Sequence, residues 1–200
     1  MRRIFRRLQD AFGRFLSSRH TDPGGMETLW RLRLLNLTGL MLVVLAVLWS
    51  VSFWSHQAYA VGAFIFSMAV VEVGLLLLLR RIRRTYMVAH ATVFMLLGGT
   101  VLSNWSTGGL EGANIVVFFI VPVAGLTLLG RRGLLWAGAT LLAVGGFQYL
   151  ALTGYDFPHV VPVPARSVDM ILTWVTVLVV LVVNLLHYEV TRSRAVRDLV

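Results

Sequence analysis

The sequence predicts an all-α integral membrane protein: a bundle of six membrane-crossing helices, preceded by an amphipathic helix and followed by a helical extension. Two observations lead there. Six apolar stretches, at 34–54, 58–79, 86–103, 115–129, 134–153 and 168–188, alternate with short polar connections. Each is read as one crossing, since roughly 20 apolar residues in a helix span a hydrocarbon core of about 30 Å. The second observation is charge. Seventeen of the eighteen basic residues, all arginine, lie before the first stretch, after the last, or in the connections at 80–85 and 130–133. Only Arg166 lies on the other side. Arginine beside short loops is retained in the cytoplasm, which puts both termini inside. The net charge of +9 is thus a topology signal and not a nucleic-acid footprint.

Composition excludes the main alternatives. A chain of 200 residues that is 58% hydrophobic and 14% charged carries more apolar surface than a soluble domain of that size can bury. In lipid every backbone polar group needs an internal partner, which leaves helices or closed barrels, and the period-2 alternation of a barrel is missing. The chain has no cysteine, hence no disulfide framework and no thiolate metal site; no metal or cofactor is expected. It also has no lysine, an arginine-codon bias that points to a bacterium with GC-rich DNA and so to the bacterial inner membrane. About thirty polar-rich residues precede the first apolar stretch, unlike a cleaved signal peptide.

Within 1–20, Ile4, Phe5, Leu8, Ala11, Phe12, Phe15 and Leu16 recur at helical spacing among Arg2, Arg3, Arg6, Arg7 and Arg14. This is the pattern of a basic helix lying on an anionic leaflet, with membrane lipids as its partner; a plain topogenic basic segment would look similar. Thr21-Asp22-Pro23-Gly24-Gly25 breaks the chain before it enters the membrane. The fourth stretch holds Pro122, expected to kink it.

Polar residues inside the membrane are few. Glu72 lies about two turns from the arginine-bearing end of the second stretch, and His90 about one turn into the third. The helices run antiparallel from the same turn, so the two are expected to pair at similar depth. Such a pair either responds to pH or simply locks the helices; Glu72 reaching toward Arg80 is the other possibility. Gly98-Gly99 and Gly145-Gly146 match in depth, as close-packing sites or as the floor of a pocket. The loop Asn104-Trp105-Ser106-Thr107-Gly108-Gly109-Leu110-Glu111-Gly112-Ala113-Asn114 concentrates amides, hydroxyls and an aromatic ring. Asn104, Trp105, Thr107 and Asn114, with Pro122 shaping one wall, are the candidate ligand-binding residues. No catalytic residue is assigned. An intramembrane Ser–His enzyme needs both groups at one depth, and no serine in a GxSG-like context faces His90.

Three features occur together: Thr107-Gly108-Gly109-Leu110, then Pro122-Val123-Ala124-Gly125, then Leu129-Gly130-Arg131-Arg132-Gly133. In this combination the region from Leu34 onward resembles the six-helix membrane input module of bacterial sensor proteins of the histidine kinase, diguanylate cyclase and adenylate cyclase types. The resemblance implies a sensor domain over 34–188 that receives a small apolar or amphipathic ligand, or a membrane signal, and feeds a dimeric cytoplasmic output domain. The segment 189–200 has no Gly or Pro, and Val190, Val196 (or Ala195) and Val200 leave a thin apolar stripe among charges. It reads as the start of a signalling helix, in a homodimer, that leads into an output domain beyond this chain. The competing expectation is a small self-contained transporter or channel. Such a protein usually shows interrupted helices and a line of intramembrane polar groups, of which Pro122, Glu72 and His90 make a thin set.

Overall fold

The computed structural model describes residues 25–79, 81, 85–109, 113–160 and, beyond them, 171, 173–175, 177–182 and 185. The segment 1–20, the loop residues 110–112 and the extension 189–200 lie outside the described residues, and with them the expected interfacial and signalling helices. The order is α1 (Gly25–Ser55), α2 (Tyr59–Leu79), α3 (Thr85–Ser106), a 3₁₀ helix (Ala113–Phe119), α4 (Ile120–Leu129), a 3₁₀ turn (Gly130–Gly133) and α5 (Leu134–Leu152). A last apolar helix, α6, covers Thr173–Val182. Among the described residues the only extended pairing is one antiparallel bridge, Thr107 with His159.

Four helical runs are long and apolar enough to cross a bilayer: Leu32–Ser55, Tyr59–Leu79, Thr85–Ser106 and Ile115–Leu152. The first three reach about 32–36 Å at 1.5 Å per residue, against a hydrocarbon core of about 30 Å. α1 begins at Gly25, before the apolar stretch at 34. Glu27, Arg31 and Arg33 are good helix formers, so hydropathy marks where the membrane begins and not where the helix does.

The fourth run, 38 residues long, doubles back on itself. The rings of Phe118 and Phe147 lie 5.9 Å apart across it. Its reversal sits at Gly130–Gly133, where Gly130 takes φ +58°. Gly133 packs backbone to backbone on Gly125, so closely that a Cβ at Gly133 would overlap the Gly125 carbonyl.

Pro122 lies at the start of an α-helix and not in the interior of one, where a kink was expected. The chain arrives as a 3₁₀ helix and turns α-helical only at Ile120, so Pro122 falls in the first turn of α4. Helix-start amides have no partner inside the helix, and a residue without an N–H is tolerated there.

Two ends of the bundle can be told apart. At one, the guanidinium of Arg132 stands 4.9 Å over the ring of Tyr86, joining the 130–133 turn to the start of α3. Beneath it Leu32, Leu35, Leu79, Val88, Val93 and Leu128 form one buried cluster. At the opposite end Trp49, Phe53, Ala58 and Ile65 pack the α1–α2 turn. The flanks tell a different story. Val70 and Leu77 on α2 are 57% and 56% exposed, and Leu141 and Leu142 on α5 are 74% and 79% exposed. Apolar belts this large do not stay monomeric in water and match a lipid surround.

Candidate functional site

Glu72 sits where three helices meet. It is 3% exposed, on the inward face of α2. Its Oε1 accepts a hydrogen bond from Thr92 Oγ1 on α3 at 2.9 Å. From α1, Gly39 makes room for the carboxyl: a Cβ there would stand 2.7 Å from Oε1. Oε2 is buried and receives no hydrogen bond from any described residue, and the same holds for Thr38 Oγ1, the neighbour of Gly39. A carboxyl in such surroundings costs several kcal/mol if ionised and alone, so its polar complement decides what the site can do.

The expected Glu72–His90 pair is not formed, and the reason is register. α2 ends at Leu79 and α3 starts at Thr85, so residues equidistant from the turn are level, and Glu72 lies level with Thr92. His90 comes two positions earlier on α3, about 200° around a helix of 3.6 residues per turn. It faces α5 instead. Trp136 Nε1 donates to His90 Nδ1 at 2.9 Å, with the two rings 6.0 Å apart. Spacing from the turn sets the level of each residue but not the helix face it occupies.

Above Glu72 a cavity of about 120 Å³ opens between α1, α2 and α3. From α1 it is lined by Leu42, Leu45, Ala46 and Trp49, and from α2 by Ile65, Met68, Ala69 and Glu72 itself. α3 contributes Met95, Leu96, Gly99, Thr100 and Ser103, and the wall is closed by Val117 and Ile120. The α1 and α2 sets each follow the spacing i, i+3, i+4, i+7 of one helix face. Small residues at Ala46, Ala69 and Gly99 leave the space, while Met68 leans over Gly99, its Sδ 3.1 Å from where a Cβ would stand. The hydroxyl of Thr100 turns back to Leu96 O at 2.7 Å. Apart from Glu72, then, the lining is close to a hydrocarbon surface.

Of the residues expected to bind ligand, Asn104, Trp105, Thr107 and Pro122 do not line this cavity. Asn104 is buried and its Nδ2 donates to Thr100 O at 2.8 Å. Thr107 Oγ1 donates to Ser103 O at 2.8 Å while its backbone pairs with His159. The next rung is Val160 N–H to Ser106 O at 3.0 Å. Trp105 belongs to an aromatic cap, with ring centroids 5.2 Å from Tyr155, 5.5 Å from Phe157 and 6.2 Å from Phe147. Gly108, at φ +103°, brings the chain so close to the His159 ring that a Cβ would stand 2.6 Å from Nδ1. These loop residues thus bind one another and close the end of the bundle. Pro122 is half-buried in α4, and Asn114 falls in the 3₁₀ helix, its side chain outside the described set. Of the matched glycines, Gly99 lines the cavity and Gly98 abuts Met68, whereas a Cβ at Gly145 or Gly146 would meet nothing within 4 Å.

The cavity wall continues into α6. Ile120, which lines the cavity, is buried in one cluster with Val116 and with Val177 and Val180 of α6; the cavity residues Leu45 and Leu96 pack against that cluster. Among the described residues no group of three or more His, Asp or Glu side chains could hold a metal ion. Comparison with family models, curated proteins and solved structures returns no match for this chain.

Proposed function

We propose that the chain is the transmembrane sensory domain of a bacterial signalling protein. In this reading it crosses the inner membrane six times with both termini cytoplasmic, the 115–152 run supplying two crossings and α6 the last. The arginine-bearing turns then face the cytoplasm. A small lipophilic ligand enters the cavity between α1, α2 and α3, and the last helix carries the signal to a dimeric cytoplasmic kinase or nucleotide cyclase domain.

The observation that supports this reading best is the shared packing of cavity and last helix. Leu45, Leu96 and Ile120 each have one side on the cavity and another on the cluster that holds Val177 and Val180. Side chains in a close-packed bundle cannot make way for a ligand independently, so filling the cavity moves the α6 contact. Shifts of 1–2 Å in a helix are the ordinary size of such transmitted changes. The ligand must bind two arrangements of the bundle with different affinity, or it transmits nothing.

The test fuses residues 1–200 to a dimerisation-dependent reporter and adds a lipophilic extract of bacterial membranes. The expected result is a graded response that Ala69→Leu, which fills the cavity, abolishes, and that Trp105→Ala in the cap leaves in place. A response untouched by Ala69→Leu would put the ligand elsewhere. A reporter silent to every extract would favour a self-contained transporter or channel.

A further inference from the structure

We propose that the cavity takes a small primary amine, as its ammonium ion, with a ring or short alkyl chain as its body. The inference rests on the cavity being the ligand site of the sensor and adds the chemistry of that ligand. Three features specify it. The first is size: an apolar cavity of roughly 150 Å³ accepts a benzene ring, and this one measures about 120 Å³. It admits a group of that order and no fused polycycle. The second is the lining, in which mostly hydrocarbon and thioether side chains, with the hydroxyls of Thr100 and Ser103, surround a single carboxyl.

The third feature is the state of that carboxyl. Oε1 is engaged by Thr92, and Oε2, on a side chain 3% exposed in the cavity wall, has no donor among the described residues. A buried carboxyl oxygen in this position is satisfied by a hydrogen-bond donor, and a carboxylate also by a positive charge. Among the described residues neither comes from within. No described Arg or His lines the cavity, and the sequence has no lysine whose chain could reach in. A water molecule could donate to Oε2 and to the Thr100 hydroxyl, whose own proton goes to Leu96 O, but it would bring no positive charge. An ammonium group supplies the donor and the charge together. The apolar body then lies among Leu42, Ala69 and Met95.

The experiment measures binding of benzylamine, benzyl alcohol and toluene to the purified 200-residue chain in a neutral detergent, read as saturable thermal stabilisation. Charge-assisted hydrogen bonds are strong enough that benzylamine should bind at least about tenfold more tightly than benzyl alcohol. Glu72→Gln should erase that preference and leave toluene binding unchanged. Ala69→Leu should remove binding of all three. Equal affinity for the three probes in the wild type would overturn the proposal, and so would an amine preference that survives Glu72→Gln. Should Glu72→Gln not fold, Ala69→Leu decides: loss of benzylamine binding supports the site and its persistence refutes it. Saturable, Glu72-dependent amine binding with a silent reporter would sink the sensor reading alone. A reporter response without amine binding would sink only this one.

Discussion

Gly133→Val should destabilise the bundle by about 3 kcal/mol, at the upper end for an overpacked interior. A Cβ at this position would overlap the carbonyl of Gly125 and the amide of Leu126. Those are backbone atoms in α4, so relief requires the two arms of the 115–152 run to part rather than a side chain to swing away. Their contact also sets how closely Trp136 approaches His90. For a chain of this size the loss corresponds to a fall in midpoint of roughly 6–12 °C. The control is Gly138→Val on α5, which follows the turn, where a Cβ would meet nothing within 4 Å and the position is exposed. It should melt with the wild type. Equal melting of the two variants would mean that the 130–133 reversal is not closed by the Gly125–Gly133 contact.

Phe147→Ala should cost about 2–3 kcal/mol. A buried Phe truncated in a water-soluble core costs about 3–5 kcal/mol, part of it lost transfer from water and part the cavity left behind. Lipid tails are as apolar as the neighbours of this ring, so within a membrane the packing part dominates. That part is large here. Phe147 is buried against Phe118 at 5.9 Å and Phe157 at 5.4 Å and meets Trp105 at 6.2 Å, so one ring ties α5 to the 3₁₀ entry of α4, to α3 and to the loop after α5. Tyr149, two residues on and 67% exposed, is the comparison: Tyr149→Ala should cost well under half as much. Thermal unfolding in detergent, followed by tryptophan fluorescence, reports both, since Trp105 loses a neighbour only in the first.

Much of the helix order is legible because hydropathy marks where apolar runs begin and end. The stretches at 58–79, 115–129 and 134–153 fall within a residue or two of the helical runs. What hydropathy does not carry is rotation about the helix axis, since a helix bathed in lipid is apolar all round. Spacing from the turn does not distinguish Thr92 from His90, two residues and about half a turn apart, as the partner of Glu72. The cavity was missed for the same reason. Its α1 and α2 faces share an i, i+3, i+4, i+7 spacing, but nothing marks that face among equally apolar ones except the small residues Ala46, Ala69 and Gly99. The polar loop drew attention because polar groups beside a membrane often bind ligands. In the structure Asn104, Thr107 and Ser106 use that capacity on their own helix end and on the 159–160 segment. A 3₁₀ entry, which moves the start of α4 to Ile120 and puts Pro122 in its first turn, leaves no pattern in hydropathy.

The central claim is a six-crossing bundle whose arginine-bearing turns face the cytoplasm, and single-cysteine labelling tests it most directly, since the chain has no cysteine of its own. Gln57, Arg81, Arg131 and Asp156 are all exposed at turns or loops of the bundle. Replaced one at a time by cysteine in intact cells, positions 57 and 156 should react with a membrane-impermeant maleimide, and 81 and 131 only after permeabilisation. Labelling of position 131 from outside, or protection of position 156, would contradict the account, because the 115–152 run would then not cross, turn inside and return.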